Sequence, residues 1–140
     1  MIRKIWNRQE GQSLVEFAIV APVLVLLLLG IVEFGLILYN QHVITNASRE
    51  GARYGIVVDT PRRSDESIQA VVEAYCADNL VTFGSGGSPN TTVTHDTGQS
   101  FGDDLTVEVT YHYDFLVLPN FIASLIGGQD LRAHTTMKYE

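Results

Sequence analysis

The uncharged apolar run from Phe17 to Val32 constrains this chain more than any other feature. As an α-helix it would be about 24 Å long, at about 1.5 Å of rise per residue, which is short of the roughly 30 Å hydrocarbon core of a bilayer. Continuing the helix past Glu33 to Tyr39 gives about 34 Å. We therefore expect a transmembrane helix that ends near Tyr39, an aromatic residue suited to the interface, with the Glu33 carboxylate turned toward water. Pro22 lies inside this span and predicts a kink, because it removes one backbone hydrogen bond.

Basic residues before the apolar run set the expected orientation. They are Arg3, Lys4 and Arg8, opposed by Glu10 alone. The positive-inside rule places such a flank in the cytoplasm and residues 40–140 on the other side of the membrane. Arg49 and Arg53, beyond the span, weaken the asymmetry, but the first flank usually dominates.

The start of the apolar run predicts a processing site at Gly11. An ordinary cleaved signal peptide needs small residues soon after its apolar region, and the residues that follow Val32 suit that cleavage badly. Cleavage after Gly11 would instead give Gln12 a new α-ammonium group and make Glu16 the fifth residue of the mature chain. Negative charge is favoured there, near a helix N-terminus, and the carboxylate could pair with an α-ammonium. Alternatively, Glu16 only marks the cytoplasmic end of a membrane helix.

Beyond the span, residues 40–58 are expected to extend the helix outward. Ala47, Gly51 and Gly55 recur every four residues and so share one helix face. Small residues at this spacing allow another helix or a sheet to approach closely. The same spacing also fits a helix face that merely tolerates small side chains.

The remainder of the chain predicts a small α+β domain. Ser64 is the expected N-cap of an amphipathic helix over about 65–80, and the glycine-rich stretch 84–90 predicts a loop. Clean alternation of apolar and polar residues predicts strands over 105–115 and 131–139, and residues 91–95 predict a weaker strand. The helix should cover the apolar face of an antiparallel sheet. On the wet face, Glu108 and Asp114 are expected near Arg132 and Lys138.

An unusually apolar segment, 116–128, joins the two strong strands. Asn120 is the expected N-cap of a short helix that Gly127 and Gly128 end. The segment either closes the core or forms an exposed contact patch. We favour core closure.

No pattern in the sequence indicates catalysis, a cofactor or a small-molecule substrate. The net charge of −7 and the scattered basic residues disfavour nucleic-acid binding.

Cys76 is the one cysteine, and we expect it to be buried. His112 and His134 are expected to approach each other on the wet sheet face, as bystanders rather than as a metal site. We assign Asp96, Asp103 and Asp104 to turns rather than to a calcium site.

Two blocks of sequence resemble the TadE-like family of minor pseudopilins, which belong to bacterial tight-adherence (Flp pilus) systems. The first is GQSLVEF at 11–17, followed by AIVAP at 18–22, and the second is TNASREGARYG at 45–55. Together the two blocks cover residues 11–55, with a looser match near the C-terminal end. The chain departs from the family at Ser48, where alanine is more usual, and we expect no consequence.

The resemblance implies a pilin-like subunit of the inner membrane rather than an enzyme. It implies cleavage after Gly11 by a prepilin peptidase, and assembly with other pilins or pseudopilins. The expected organisation is a cytoplasmic leader over 1–11, a transmembrane and extended helix over 12–58, and a periplasmic α+β domain over 59–140. The main alternative is an uncut, membrane-anchored binding module unrelated to pili. An anchored enzyme is a second alternative, but the sequence offers it no catalytic constellation.

Overall fold

The computed structural model describes residues 8–82, 87–97 and 99–139, with side chains from Gly11 onward. Residues 1–7 of the expected leader and residues 84–86 of the expected loop lie outside this part of the chain. The elements in chain order are α1 (Arg8–Gly55), α2 (Asp65–Asn79), β1 (Asn90–His95), β2 (Asp104–Tyr113), α3 (Asn120–Ile126) and β3 (Gln129–Lys138). This arrangement confirms the predicted α+β class with a long N-terminal helix.

Helix α1 is a single element of 48 residues, so its apolar half and its outer half form one continuous rod. Within the described residues it is long and apolar enough to cross a membrane. Pro22 lies inside it, and the expected kink there stays a prediction. The helix ends at Gly55, three residues before the expected limit, as the chain enters the turn that precedes α2.

Helix α2 begins where its capping residue predicts. Ser64 adopts an extended backbone, and its hydroxyl accepts a hydrogen bond from the Ser67 N–H at 3.3 Å. One face of the helix is fully buried, through Ile68, Val72 and Cys76. This face covers the sheet together with α1, as the amphipathic pattern predicts.

The sheet is antiparallel in the order β1-β2-β3, so β2 is the central strand. Its alternate residues are buried, as predicted. Glu108 was expected near Arg132, and the two lie in neighbouring pairs on the wet face, since Glu108 is opposite His134 and Arg132 is opposite Thr110. The expected approach of Asp114 to Lys138 is wrong. Lys138 instead lies opposite Asp104, with Nζ 2.8 Å from its Oδ1. The apolar residues that face the core fix the register of a half-buried sheet. The cross-strand neighbours of the solvent-facing residues then follow from that register.

Helix α1 runs antiparallel to β2 and packs along it. Gly55 lies against Leu105 at one end, whereas Glu33 contacts Tyr113 at the other. The domain therefore has a span-proximal end, where β2 ends and β3 begins, and a distal end near Gly55. This direction decides which loops lie nearest the apolar half of α1.

The segment that carries α3 lies at the span-proximal end and does not close the core. None of its helical residues is buried, so the favoured role in core closure is wrong for α3, whereas Leu116 before it packs against the core. The β2 strand already fills the core at this end with Tyr111 and Tyr113. Asn120 is the first helical residue rather than the N-cap, which is Pro119 and makes no side-chain capping bond. Gly127 ends the helix at φ +77, a conformation that glycine adopts without strain.

Candidate functional site

The apolar half of α1 presents hydrophobic side chains in every direction. Its most apolar 18-residue window is 0% buried against the described part of the chain. Phe17 at its start is 71% exposed and Val32 at its end is 52% exposed. A surface this apolar is stable only when lipid or other protein covers it. This half of α1 is therefore a candidate membrane span by its composition and length.

The predicted processing residues lie together on the exposed first turns of the described helix. Gly11, Gln12 and Glu16 are all exposed, and the space around the Gly11 Cα is open. The Gln12 side chain donates a hydrogen bond from Nε2 to Glu16 Oε1 at 3.2 Å. The Glu16 carboxylate is thus one helical turn from residue 12 and is exposed on the helix surface.

Glu33 is the most unusual residue of α1, because its side chain points into the domain. It is only 2% exposed, so the expected orientation of its carboxylate toward water is wrong. The Oε1 atom accepts hydrogen bonds from the Tyr113 hydroxyl at 2.5 Å and from the Leu116 N–H at 2.9 Å. The Oε2 atom accepts from the N–H groups of Val117 at 2.7 Å and Leu118 at 2.9 Å.

Four donors therefore satisfy one buried carboxylate at the point where the domain meets the apolar half of α1. Three of these donors are consecutive backbone N–H groups, an arrangement suited to holding a negative charge. Burial raises the pKa of the Tyr113 hydroxyl far above its ordinary value, with the hydrogen bond to Glu33 as the second cause, so this group remains a donor. We call Glu33, Tyr113 and residues 116–118 the carboxylate clamp.

Sequence reasoning missed the carboxylate clamp, although a signal for it was present. A carboxylate within an apolar helix requires a partner. The segment 116–118 follows the end of a strand, so its backbone N–H groups also require partners. The two requirements are 83 to 85 residues apart in the chain, and no local pattern joins residues at such a separation.

Asn40 forms a second polar attachment two helical turns beyond Glu33, on the same face of α1. It is fully buried. Its Nδ2 donates to the Val81 carbonyl at 3.0 Å, and its Oδ1 accepts from the Val81 N–H at 3.0 Å. The amide thus satisfies both backbone groups of the residue that follows the cap of α2.

Ser48 forms a third attachment, whereas the sequence led us to expect no consequence of a serine at this position. Its hydroxyl lies 2.8 Å from the Thr135 hydroxyl of β3 and donates or accepts there. Nearby, Gln41 Nε2 donates to the Arg132 carbonyl at 2.8 Å. Helix α1 is therefore bonded to the start of the loop after β2, to the end of α2, and to β3.

Small residues line α1 where it approaches α2 and β2 most closely. Ala47 is fully buried. A Cβ atom at Gly51 would lie 2.5 Å from Val72 Cγ2, and one at Gly55 would lie 2.5 Å from Leu105 Cδ2. Carbon atoms normally pack at about 3.5–4.0 Å, so the close approach depends on the absence of side chains at these two positions.

The two histidines that were expected to approach each other do not. His112 lies opposite Asp130, and its Nδ1 is 2.6 Å from Asp130 Oδ1, whereas His134 lies opposite Glu108 farther along the sheet. The hydrogen bond with Asp130 raises the pKa of His112, and the charge of Asp114 adds to this effect. Among the described residues, no group of three or more His, Cys, Asp or Glu side chains could hold a metal ion.

Cys76 is a free, fully buried thiol, as predicted. Burial raises its pKa to about 11, with the nearby Glu73 charge as a lesser cause. A thiol that is both inaccessible and protonated is a poor nucleophile.

Comparison with known families finds a match along the long helix. Residues 11–53 match the model of the TadE-like protein family. Comparison with curated proteins and with solved structures gives no match. The matched segment covers nearly all of α1 from the Gly11 position onward and includes Glu16, Glu33 and Asn40. Over residues 11–53, this match confirms that the chain resembles the TadE-like family of pilus-associated proteins.

Proposed function

We propose that this protein is a membrane-anchored minor pilin-like subunit, or pseudopilin, that takes part in assembling a Tad-type (Flp) pilus. The match of residues 11–53 to the TadE-like family carries the proposal. The shape of the chain supports it, because one helix is apolar on all sides in one half and is built into an α+β domain in the other. Such a subunit acts by positioning and contact rather than by catalysis.

In this proposal a prepilin peptidase of the inner membrane cleaves after Gly11. The cut frees the α-ammonium group of Gln12, one helical turn from Glu16. The existing bond between the Gln12 side chain and Glu16, at 3.2 Å, supports an interaction at this spacing. Within an apolar environment an unpaired carboxylate is costly. Glu16 therefore pairs with the α-ammonium of its own chain or of a neighbouring pilin.

The orientation follows from the basic flank before the apolar run. The N-terminus faces the cytoplasm, α1 crosses the inner membrane once, and the α+β domain faces the periplasm. The apolar half of α1 remains in lipid until other pilins or pseudopilins pack against it. The three attachments of α1 to the domain keep the two parts in one orientation during that transfer.

The first experiment determines the N-terminus of the protein in cells that make the whole pilus system. The membrane-extracted chain should begin at Gln12 by intact mass and N-terminal sequencing. Gly11→Leu should leave the preceding residues attached, because a bulky side chain would obstruct the site. Gly30→Leu is the matched control, since Gly30 also lies on α1 with open space around it, and it should be cleaved normally.

The second experiment separates a role in assembly from a role in folding. Glu16→Gln removes the charge while keeping size and hydrogen bonding, and Glu16 lies far from the domain core. We expect normal cleavage and domain stability but loss of recruitment to partner subunits or of pilus production. The magnitude is on the order of 1–2 kcal/mol, or about tenfold in a subunit equilibrium. A cleaved, stable and fully competent variant would show that Glu16 only marks the end of a membrane helix. An uncut wild-type chain would favour the membrane-anchored binding module.

A further inference from the structure

The segment that carries α3 exposes an apolar surface that the core does not use. Phe121 is 71% exposed, Leu125 is 87% exposed and Ile126 is 62% exposed. Phe121 and Leu125 are four residues apart and share one side of the helix, and Ile126 follows Leu125 in the last turn. The sequence has no charged residue between Phe115 and Gly128. A surface loop seldom has this composition unless something apolar covers it.

The carboxylate clamp fixes where this apolar surface lies. Helix α3 begins two residues after Leu118, whose N–H group is bonded to Glu33. The chain returns at Gly128, which packs closely against the His112 side chain and the Tyr113 carbonyl. Both ends of the segment are therefore held at the span-proximal end of the domain, and α3 lies near the level of Glu33 on α1.

On the side of α1 that faces away from the domain, exposed apolar side chains continue beyond Glu33. Phe34, Leu38 and Tyr39 are 61%, 46% and 47% exposed. The distance along the helix from Glu33 to Tyr39 is about 9 Å. A span that starts at Phe17 ends near Tyr39, which places the level of α3 about 9 Å below the outer boundary of that span. A span that starts at Gln12 ends near Val32 and places α3 at the membrane surface.

We propose that α3 is a second membrane contact, with Phe121, Leu125 and Ile126 inserted into the lipid leaflet on the domain side. This inference rests on the membrane-anchoring part of the proposed function and not on its pilus role. For the span that starts at Phe17, the depth agrees with that of interfacial helices, whose apolar faces are buried about 5–10 Å into the boundary between headgroups and acyl chains. The apolar surface of α3 thus lies at the end of the domain that is nearest the apolar half of α1.

The contact is driven by apolar burial rather than by attraction to anionic lipid. The charged residues next to the segment are Asp114 and Asp130, which flank His112. A leaflet of neutral lipid is therefore the expected partner. One transmembrane helix leaves a protein free to rotate about the helix axis, and a second contact on one side of the helix removes that freedom.

Depth-dependent fluorescence quenching tests the proposal on the full chain in phosphatidylcholine vesicles with brominated acyl chains. A polarity-sensitive label is attached at Leu125→Cys, and Phe101→Cys at the distal end is the matched control, because Phe101 is also 85% exposed. Cys76 is buried and does not compete for the label. Leu24→Cys, within the apolar half of α1, reports whether the helix is inserted.

We expect brominated lipid to quench the Leu125 label several-fold more strongly than the Phe101 label, with a blue-shifted emission. Equal, weak quenching at Leu125 and Phe101, with strong quenching at Leu24, overturns the lipid contact and leaves the membrane anchor intact. If the emission of the Leu125 label shifts to the blue only when other pilus proteins are added, the surface binds a protein partner. This result also overturns the proposal. Weak quenching at Leu24 overturns the membrane anchor itself.

Polar substitutions in α3 test the lipid contact independently, through the resistance of the segment to protease. Phe121→Ser, Leu125→Ser and Ile126→Ser together should leave the fold unchanged, since none of these residues is buried. In the same vesicles, the triple variant should expose the segment 119–127 to a soluble protease that does not cut it in the wild-type chain. Equal resistance of the two proteins overturns the proposal.

Discussion

Replacing Glu33 by glutamine should release the loop after β2 while leaving the rest of the domain folded. Glutamine keeps one oxygen acceptor but places an NH₂ donor where Oε2 now accepts from the N–H groups of Val117 and Leu118. Hydrogen bonds to a charged group contribute about 1.5–3 kcal/mol each, and a buried donor left without a partner costs about 1–3 kcal/mol. Opening of the loop to water limits the combined loss. We expect about 2–3 kcal/mol, which is less than the typical 5–15 kcal/mol stability of a domain.

Amide hydrogen exchange measures this effect where it should occur. The N–H groups of residues 116–118 should exchange about 30- to 150-fold faster in Glu33→Gln, since 1.4 kcal/mol corresponds to a factor of ten. The amides of the central strand β2 should keep their protection. The measurement uses the full chain in detergent micelles or nanodiscs.

Two control variants isolate the role of the carboxylate. Glu16→Gln makes the same chemical change on an exposed part of α1 and should not alter exchange at residues 116–118. Tyr113→Phe removes one donor of four and should cost about 1.5 kcal/mol, or about tenfold in exchange. Unchanged exchange at 116–118 in Glu33→Gln would refute the argument that the carboxylate holds the loop.

Three further predictions concern the core and the span-proximal end of the sheet. Gly51→Ala should lower the free energy of unfolding by about 1–2 kcal/mol, because overpacking against α2 outweighs the gain in helix propensity. Gly35→Ala has open space around it and should be neutral or slightly stabilising in the same thermal unfolding assay. The Cys76 thiol, with its pKa raised to about 11, should react with a thiol reagent at pH 8 at a rate on the order of 100-fold below that of the unfolded chain; equal rates would contradict its burial. In an NMR titration His112 should have a pKa above the ordinary value of about 6.5, and Asp130→Asn should lower it. Because the folded pKa is raised, the stabilising pair with Asp130 is fully present below about pH 6.5 and is lost as pH rises through the folded pKa; a pKa unaffected by Asp130→Asn would contradict this assignment.

The sequence predicted those elements that depend on local chemistry. Ser64 caps α2 because a serine hydroxyl satisfies a free N–H of the first turn. Strands β2 and β3 follow from strict alternation, since their two faces meet different surroundings. The class of the fold, and the resemblance of residues 11–53 to the TadE-like family, follow from the same kind of pattern. Asn120 shows a limit, because a residue typical of caps became the first helical residue, after Pro119.

Contacts between distant residues could not be predicted in this way. Glu33 lies within an apolar run of the sequence, so its carboxylate was expected to be hydrated at the membrane surface. The structure provides Tyr113 and the 116–118 backbone instead, which depends on where the end of β2 meets α1. The exposure of α3 has the same origin, since the core near Tyr113 was already full. The contact that Asn40 makes could not be predicted from the sequence, because its partner is a backbone position 41 residues away.

The direction of α1 relative to the domain also determines how the protein bears a mechanical load. A pull on the apolar end of α1, directed along its axis and away from the domain, acts parallel to the contact surface rather than across it. The attachments at Glu33, Asn40 and Ser48 are then strained together in shear, instead of breaking one after another from the nearer end. Resistance to such a pull is set by the rate of unfolding under force and not by equilibrium stability alone. A subunit drawn out of a membrane by its helix would therefore keep its domain attached under loads that would separate the same contacts if they were peeled.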